Sequence, residues 1–303
     1  MKLAILLLCH KNAKQINMFL DAMQHRDIDF YIHTDRKSNI AGEILQRENV
    51  WVLPESDCVF VEWGGLSQVD ATLKLLEAAM PKHYDYYWLC SGQDFPIKPV
   101  DQIIEQLKCH LGWDYINLFD NLNWGLCQSN KYDKRVDIFY PEWIMGRVTW
   151  KRILKRAYVE ITGGYNRTWM MHRKNSIGCT FYFGSQWWCL RHVVLDWMMD
   201  YFLSHPEYYN FYRNAPVPDE SFFHTVYMNS PYRECRRDYL HYIDWSEGAS
   251  SPKVLGMNDI ERLTQSDKLI ARKFDMETAP DVIEWIQSKL IQSNPVSRYN
   301  RKE

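Results

Sequence analysis

Between Leu3 and Cys90 the chain alternates short apolar runs with segments of helical period, and this alternation restricts its fold more than any other feature. The runs Leu3 to Cys9, Phe30 to His33, Val50 to Leu53 and Tyr86 to Cys90 read as strands, while Ala13 to Gln24, Ile40 to Arg47 and Ser67 to Ala79 read as helices. Strands separated by helices of this length do not pair as hairpins; they line up as a parallel sheet covered on both faces. The expected class is α/β, with a mostly parallel central sheet. In such sheets ligands gather beyond the carboxyl ends of the strands, where His10, Asp35 and the Ser91-Gly92-Gln93-Asp94 run fall.

Beyond Trp113 the pattern is less regular. An aromatic and basic stretch reaches about Ser176, an ordered block runs from Gly178 to Asp244, and Asp259 to Leu290 reads as helical. No repeat or linker rich in Gly, Ser or Pro divides the 303 residues. One domain over 1–303 is expected, with a structured insertion at about 113–176 and a helical C-terminal part over 259–303.

Thirty-eight acidic residues against 36 Lys and Arg leave a formal charge of −2, which argues against a globally basic nucleic-acid binder and against an acidic disordered chain. The eight Cys form no C-x-x-C pair and no zinc-spaced cluster, the usage of a reducing compartment. Leu3 to Cys9 is too short to span a bilayer and lacks the flanks of a signal peptide, so a cytoplasmic protein is expected. Gly-x-Gly-x-x-Gly after the first strand, the P-loop pattern and Gly-x-Ser-x-Gly are all absent. A nucleotide, if bound, is held in another way.

The lone D-x-D, Asp27-Ile28-Asp29, precedes a strand, which puts its carboxylates at the wrong end of the sheet for a metal on a diphosphate. The better-placed slot after Cys90 carries one carboxylate, Asp94. Without a metal, a diphosphate leaving group needs protein cations. Arg272-Lys273, beside Phe274-Asp275, supplies an adjacent pair, with a solvated pair as the plain alternative. In Val217-Pro218-Asp219-Glu220-Ser221-Phe222-Phe223-His224, Glu220 is a candidate general base, walled by Phe222 and Phe223 and oriented by His224 at i+4. An ordinary helix start with acidic residues in its first turn explains the same residues. Aromatic residues reach 15%, and Gly184-Ser185-Gln186-Trp187-Trp188 is a candidate for stacking on a sugar ring, with core packing as the alternative. Arg147, Lys151, Arg152, Lys155, Arg156, Arg167, Arg173 and Lys174 are interleaved with Trp150, Ile153, Leu154 and Tyr158, which fits either a peripheral contact with anionic membrane or a solvated face.

Taken in order, eight segments resemble one family, the core-2/I-branching β-1,6-N-acetylglucosaminyltransferases and peptide O-xylosyltransferases of glycosyltransferase family 14. They are Leu6 to Asn12, Tyr31 to Ser38, Val61 to Gly65, Leu89 to Lys98, Gly184 to Trp187, Pro218 to Thr225, Ile243 to Trp245 and Ala271 to Asp275. The resemblance implies a GT-A type, Rossmann-like fold and inversion at the anomeric carbon without a divalent metal or other cofactor. It assigns Glu220 as base, Lys273 and Arg272 to the diphosphate, and Asp35, with His10 and Lys37, to the nucleotide. Gln93, Asp94, Gln186, Trp187 and Trp245 fall in its sugar and acceptor region. The xylosyltransferases place an Asp where this chain has Gln186, so the base assignment follows the branching enzymes. The catalytic pattern begins at Leu3, which suits a bacterial-type cytoplasmic enzyme of surface polysaccharide or glycolipid synthesis.

The expected partners are a UDP-sugar and a glycan or glycolipid acceptor, with no nucleic acid. N-acetylglucosamine and xylose both remain open as the transferred sugar. Two alternatives also stay open: a metal-dependent transferase using Asp94, and a non-catalytic sugar- or nucleotide-binding protein.

Overall fold

Residues 1–119, 135–145, 148–161, 173–248 and 251–291 are described in the computed structural model. At its centre lies β1 (Leu3–Cys9), an uninterrupted apolar run because both of its sides are buried. Leu3, Ile5, Leu7 and Cys9 share one core with Ile16, Phe19 and Leu20 of α1 (Ala13–Ala22). The intervening Ala4 and Leu6 face a second core with Val69, Leu75 and Leu76 of α2 (Ser67–Ala79). The period of two along the strand thus separates the two faces. Each fully buried Leu or Ile there contributes roughly 1.5–3 kcal/mol relative to exposure.

β1 pairs in parallel with β2 (Ile28–Thr34) and β4 (Tyr86–Ser91), and β2 in parallel with β3 (Val50–Val52). After β5 (Phe95–Pro96), the chain adds α3 (Val100–Cys109) to the first core and β6 (Asp114–Ile116) to the sheet. β7 (Trp188–Arg191) and β8 (Arg236–Arg237) complete a seven-stranded sheet ordered β3-β2-β1-β4-β7-β6-β8. Only β7 runs against its neighbours, β4 and β6. The expected α/β class, a mostly parallel sheet with helices on both faces, is the architecture observed.

Two local expectations fail. Residues 40–47 form only a single 3-10 turn, Ala41–Glu43. The Asn17 side chain donates to the Glu43 carbonyl and accepts from Leu45 N–H, each at 2.9 Å, so backbone groups there are satisfied without a helix. The C-terminal part is not continuously helical either. Between α8 (Ile260–Gln265) and α9 (Pro280–Ile286) lies a buried strand, β10 (Ile270–Arg272). It joins β9 (His241–Ile243) in parallel and β5 antiparallel, making a second, three-stranded sheet. Long-range pairing overrides helical period in a three-residue apolar segment of this kind.

The D-x-D carboxylates do lie at the amino end of the sheet: the Asp27 carbonyl accepts from Leu3 N–H at 2.8 Å, and Asp29 accepts the Tyr84 hydroxyl. Of the basic stretch, Arg147 and Arg167 fall outside the described residues. Part of the 113–176 insertion forms a small core of Ile138, Tyr140, Ile144, Met145 and Val159, the last on α4 (Thr149–Ile161). Among the described residues the seven cysteines are free, and no helix is long and apolar enough to cross a membrane.

Candidate active site

The second sheet delivers a cation to the carboxyl edge of the first. Arg272 ends β10 with its side chain buried, the guanidinium 4.2 Å from the centre of the Trp187 ring and Nη1 3.2 Å from Asp94 Oδ1. Asp94 is fully buried. Its Oδ2 accepts Ser91 N–H at 2.8 Å and lies 3.2 Å from Nε2 of His241, the first residue of β9. Burial pulls His241 below the usual histidine range, so the imidazole is neutral and donates from Nε2. No nitrogen of the Arg272 guanidinium makes a hydrogen bond among the described residues. A buried cation with idle donors is costly unless an anion completes its shell.

Lys273 follows directly, half-buried, with no carboxylate in ion-pair range among the described residues. Burial, then the charges of Arg272 and Lys11, hold its ammonium below the usual lysine range, against the pull of Asp275. His10, just past β1, is lowered by partial desolvation and by Lys11, Lys273 and Arg272, while Asp35 opposes them. The three cations Lys11, Arg272 and Lys273 therefore share one field, with His10 at its edge. Asp35 sits just past β2; its Oδ1 accepts Lys37 N–H at 3.1 Å and Val61 N–H at 3.3 Å, and Oδ2 is 3.6 Å from Lys37 Nζ. The Arg272–Asp275 segment is pinned from below: Phe274 N–H donates to the Gln93 carbonyl at 2.9 Å, and Lys11 Nζ reaches Asp275 at 2.7 Å.

Glu220 closes a 3-10 turn, Pro218–Glu220, entered through Val217 at φ 54°. A β-branched residue in the left-handed region costs on the order of 1–3 kcal/mol and points to a functional turn. Arg135 Nη1 donates to Glu220 Oε2 at 2.6 Å, and Oε1 accepts no hydrogen bond among the described residues. The four residues Gly184 to Trp187 link this carboxylate to the cation. Gly184 N–H donates to the Glu220 carbonyl at 2.9 Å, and Trp187 carries Arg272. Glu220, Arg272, Lys273, His10 and Asp35 thus lie along one rim beyond the strand ends.

Several expected roles change. Asp94 is fully buried and engaged by Ser91, His241 and Arg272, so it positions Arg272 instead of meeting a sugar. Gln93 is buried too, its amide 3.4 Å from the Phe274 carbonyl. Trp188 is core, and Trp187 is only 8% exposed with the guanidinium on its face, so neither is an open stacking platform. Gln186 is half-buried and contacts Gln68 at 3.4 Å. Trp245 is 51% exposed just past β9, and no contact joins it to the other candidates among the described residues.

Phe222 and Phe223, on α7 (Phe222–Met228), turn into the second core rather than around Glu220. His224 is on that helix while Glu220 is not; its Nε2 bonds the Ser185 carbonyl at 2.9 Å, and burial lowers its pKa to about 4. It is a neutral core histidine. Arg135 and His241 escaped notice because each is an ordinary residue until tertiary structure sets it against a carboxylate.

Cys90, Asp94 and His241 each bring a potential metal ligand atom within 4.8 Å of the others, all buried. The donor set suits zinc. Burial pushes the Cys90 thiol well above the usual range, and the Arg272 cation stands 3.2 Å from the same carboxylate, so the cluster fits a divalent ion poorly.

The family described as Core-2/I-Branching enzyme matches residues 3–267. A xylosyltransferase of Ciona intestinalis is 24% identical over 324 residues, covering 97% of this chain and 35% of that protein. Xylosyltransferase 2 of Rattus norvegicus is 25% identical over 328 residues, covering 97% and 34%. The chain spans about a third of the length of these curated relatives. Among solved structures, core-mannan synthase A of Aspergillus fumigatus in its Mn/GDP form aligns at 11% identity with a TM-score of 0.32, covering 74% of this chain and 69% of that one.

Proposed function

The chain belongs to the Core-2/I-Branching enzyme family, and from that premise we propose that it is an inverting glycosyltransferase moving N-acetylglucosamine or xylose from UDP to a hydroxyl of a glycan or glycolipid. Protein cations, in this reading, stand where other transferases use a metal. The observation that carries it is the Arg272-Lys273 step: a buried guanidinium clamped by Asp94 and Trp187, followed by a half-buried ammonium whose pKa is lowered by burial and then by neighbouring cations. Such a site gains most from a ligand of concentrated negative charge, which a sugar diphosphate provides.

The chemistry follows from the rim. Glu220 Oε1 takes the proton of the acceptor hydroxyl as that oxygen forms a bond to C1 of the sugar. The bond from C1 to the diphosphate breaks on the opposite face, and its electron pair leaves with UDP. Lys273 and Arg272 offset the charge that accumulates there; one such contact is worth about a hundredfold or more in rate. Arg135 holds the other Glu220 oxygen and fixes the carboxylate's direction. A cytoplasmic enzyme of surface polysaccharide synthesis is the setting we propose.

A metal-dependent transfer using Asp94 would draw on the Cys90, Asp94 and His241 cluster, and the Arg272 cation on the same carboxylate counts against it. A screen of UDP-sugars for UDP release tests the proposal as a whole. Release from UDP-N-acetylglucosamine or UDP-xylose is expected, and it should quicken with a glycan acceptor. No release from any UDP-sugar, together with glycan binding by calorimetry, would identify a sugar-binding protein instead.

A further inference from the structure

Helix α4 packs the wrong way round for a solvated surface helix. On a helical wheel Trp150, Ile153, Leu154, Ala157 and Ile161 form one apolar stripe. That stripe faces away from the protein: Trp150 is 53% exposed, Ile153 62%, Leu154 37% and Ile161 85%. The side turned inward carries Val159, which is buried, with Lys151 and Lys155. Lys151 pairs with Glu62, and Lys155 lies 4.6 Å from the centre of the Tyr140 ring. Trp143, 62% exposed, and Val148, 49% exposed, are further exposed apolar side chains in the residues just before the helix.

Charge identifies what this surface fits. Arg152 and Arg156 lie on the polar side of the helix, beyond Glu160 from the stripe; both are exposed, and neither side chain makes a hydrogen bond or ion pair among the described residues. Glu160 is the one acid on the helix. A helix of this length lies about 20 Å along a surface, far short of a span. An apolar stripe with tryptophan, set against a polar side rich in Lys and Arg, is the arrangement that enters the head-group region of an anionic bilayer. A protein partner would more readily match a polar rim balanced in sign, whereas this helix carries Lys151, Arg152, Lys155 and Arg156 against Glu160 alone. Arg173, counted with the basic segment from sequence, is withdrawn from it: its guanidinium bonds the Val136 and Phe211 carbonyls and stacks on Phe211.

We propose that the outward face of α4, with Trp143 and Val148, docks this protein on an anionic lipid surface. The docking does not depend on which reaction the enzyme performs. Flotation with vesicles of equimolar phosphatidylglycerol and phosphatidylcholine tests it, using the full chain at low and high salt. The wild type should float with these vesicles, and not with pure phosphatidylcholine, and high salt should weaken the association. The triple variant Trp150→Ser, Ile153→Ser, Ile161→Ser should reduce partitioning roughly tenfold or more. The pair Arg152→Gln, Arg156→Gln should reduce it on the order of fivefold per charge. These side chains are exposed, so thermal melting should be unchanged, which separates lost docking from lost folding. A wild type that ignores anionic vesicles, or a triple variant that binds them as well as the wild type, overturns the proposal. Dimerisation of the wild type that the triple variant abolishes, without vesicle binding, would assign the face to a second copy of the chain.

Discussion

Glu220→Gln should lower turnover about a thousandfold while leaving UDP affinity within a factor of about two. The amide has nearly the shape of the carboxylate but no capacity to accept the acceptor proton. Glu220 contacts the rest of the protein mainly through Arg135 on Oε2 and through its backbone carbonyl on Gly184, and the backbone bond survives the substitution. The nucleotide is assigned to the other end of the rim, at Asp35, His10 and Lys273, so its binding has no direct dependence on Glu220. Steady-state rates with saturating donor, alongside a calorimetric titration of UDP, give both numbers. Near-normal turnover in the variant removes Glu220 as the base. A loss of UDP affinity equal to the loss of rate would show that the substitution disturbs the whole rim.

Gly184→Ala should have the largest effect on stability. A Cβ at this position would stand 2.0 Å from the Asn117 carbonyl oxygen and 2.5 Å from Cδ2 of His224. One neighbour is backbone and the other is a fully buried ring tied to the Ser185 carbonyl, so neither can withdraw cheaply. Overpacking a well-filled core costs typically 1–3 kcal/mol, and backbone contacts this short put the change at about 3 kcal/mol or above. For a chain of this size that lowers the melting temperature by roughly 6–12 °C. The same turn carries Trp187 and takes hold of the Glu220 carbonyl, so activity should fall with stability. Melting within about 1 °C of the wild type would mean that the turn yields, and that the close packing is not what requires glycine here.

What the sequence made legible, and what it did not, divides along physical lines. β1 and α2 were found residue for residue, because a doubly buried strand and an amphipathic helix write their burial directly into composition. Glu220, Arg272 and Lys273 were singled out by motif and resemblance with no place in the sheet attached, whereas the position of His10 and Asp35 just past β1 and β2 followed from the alternation. Strand β10 did not, since three residues that pair with distant partners carry no local period. Nor did the division of labour within the site. Asp94 and Trp187 both look like ligand contacts in sequence; only their burial around the guanidinium shows that they hold Arg272. The aromatic excess resolves the same way. Many of these rings fill the second core, as Trp188, Phe222, Phe223, Tyr208 and Tyr212 do, whereas Trp150 and Trp143 stand outside on the face proposed to meet lipid.

The central claim is that Arg272 and Lys273 do for the departing diphosphate what a metal does elsewhere. The most direct measurement is the transfer rate of the wild type and of Lys273→Ala after exhaustive EDTA treatment, with and without added Mn²⁺. The account predicts full wild-type activity in EDTA, no gain from Mn²⁺, and a loss of about a hundredfold in Lys273→Ala under every condition. Wild-type activity that disappears in EDTA and returns with Mn²⁺ would contradict it and place a metal at the reacting centre.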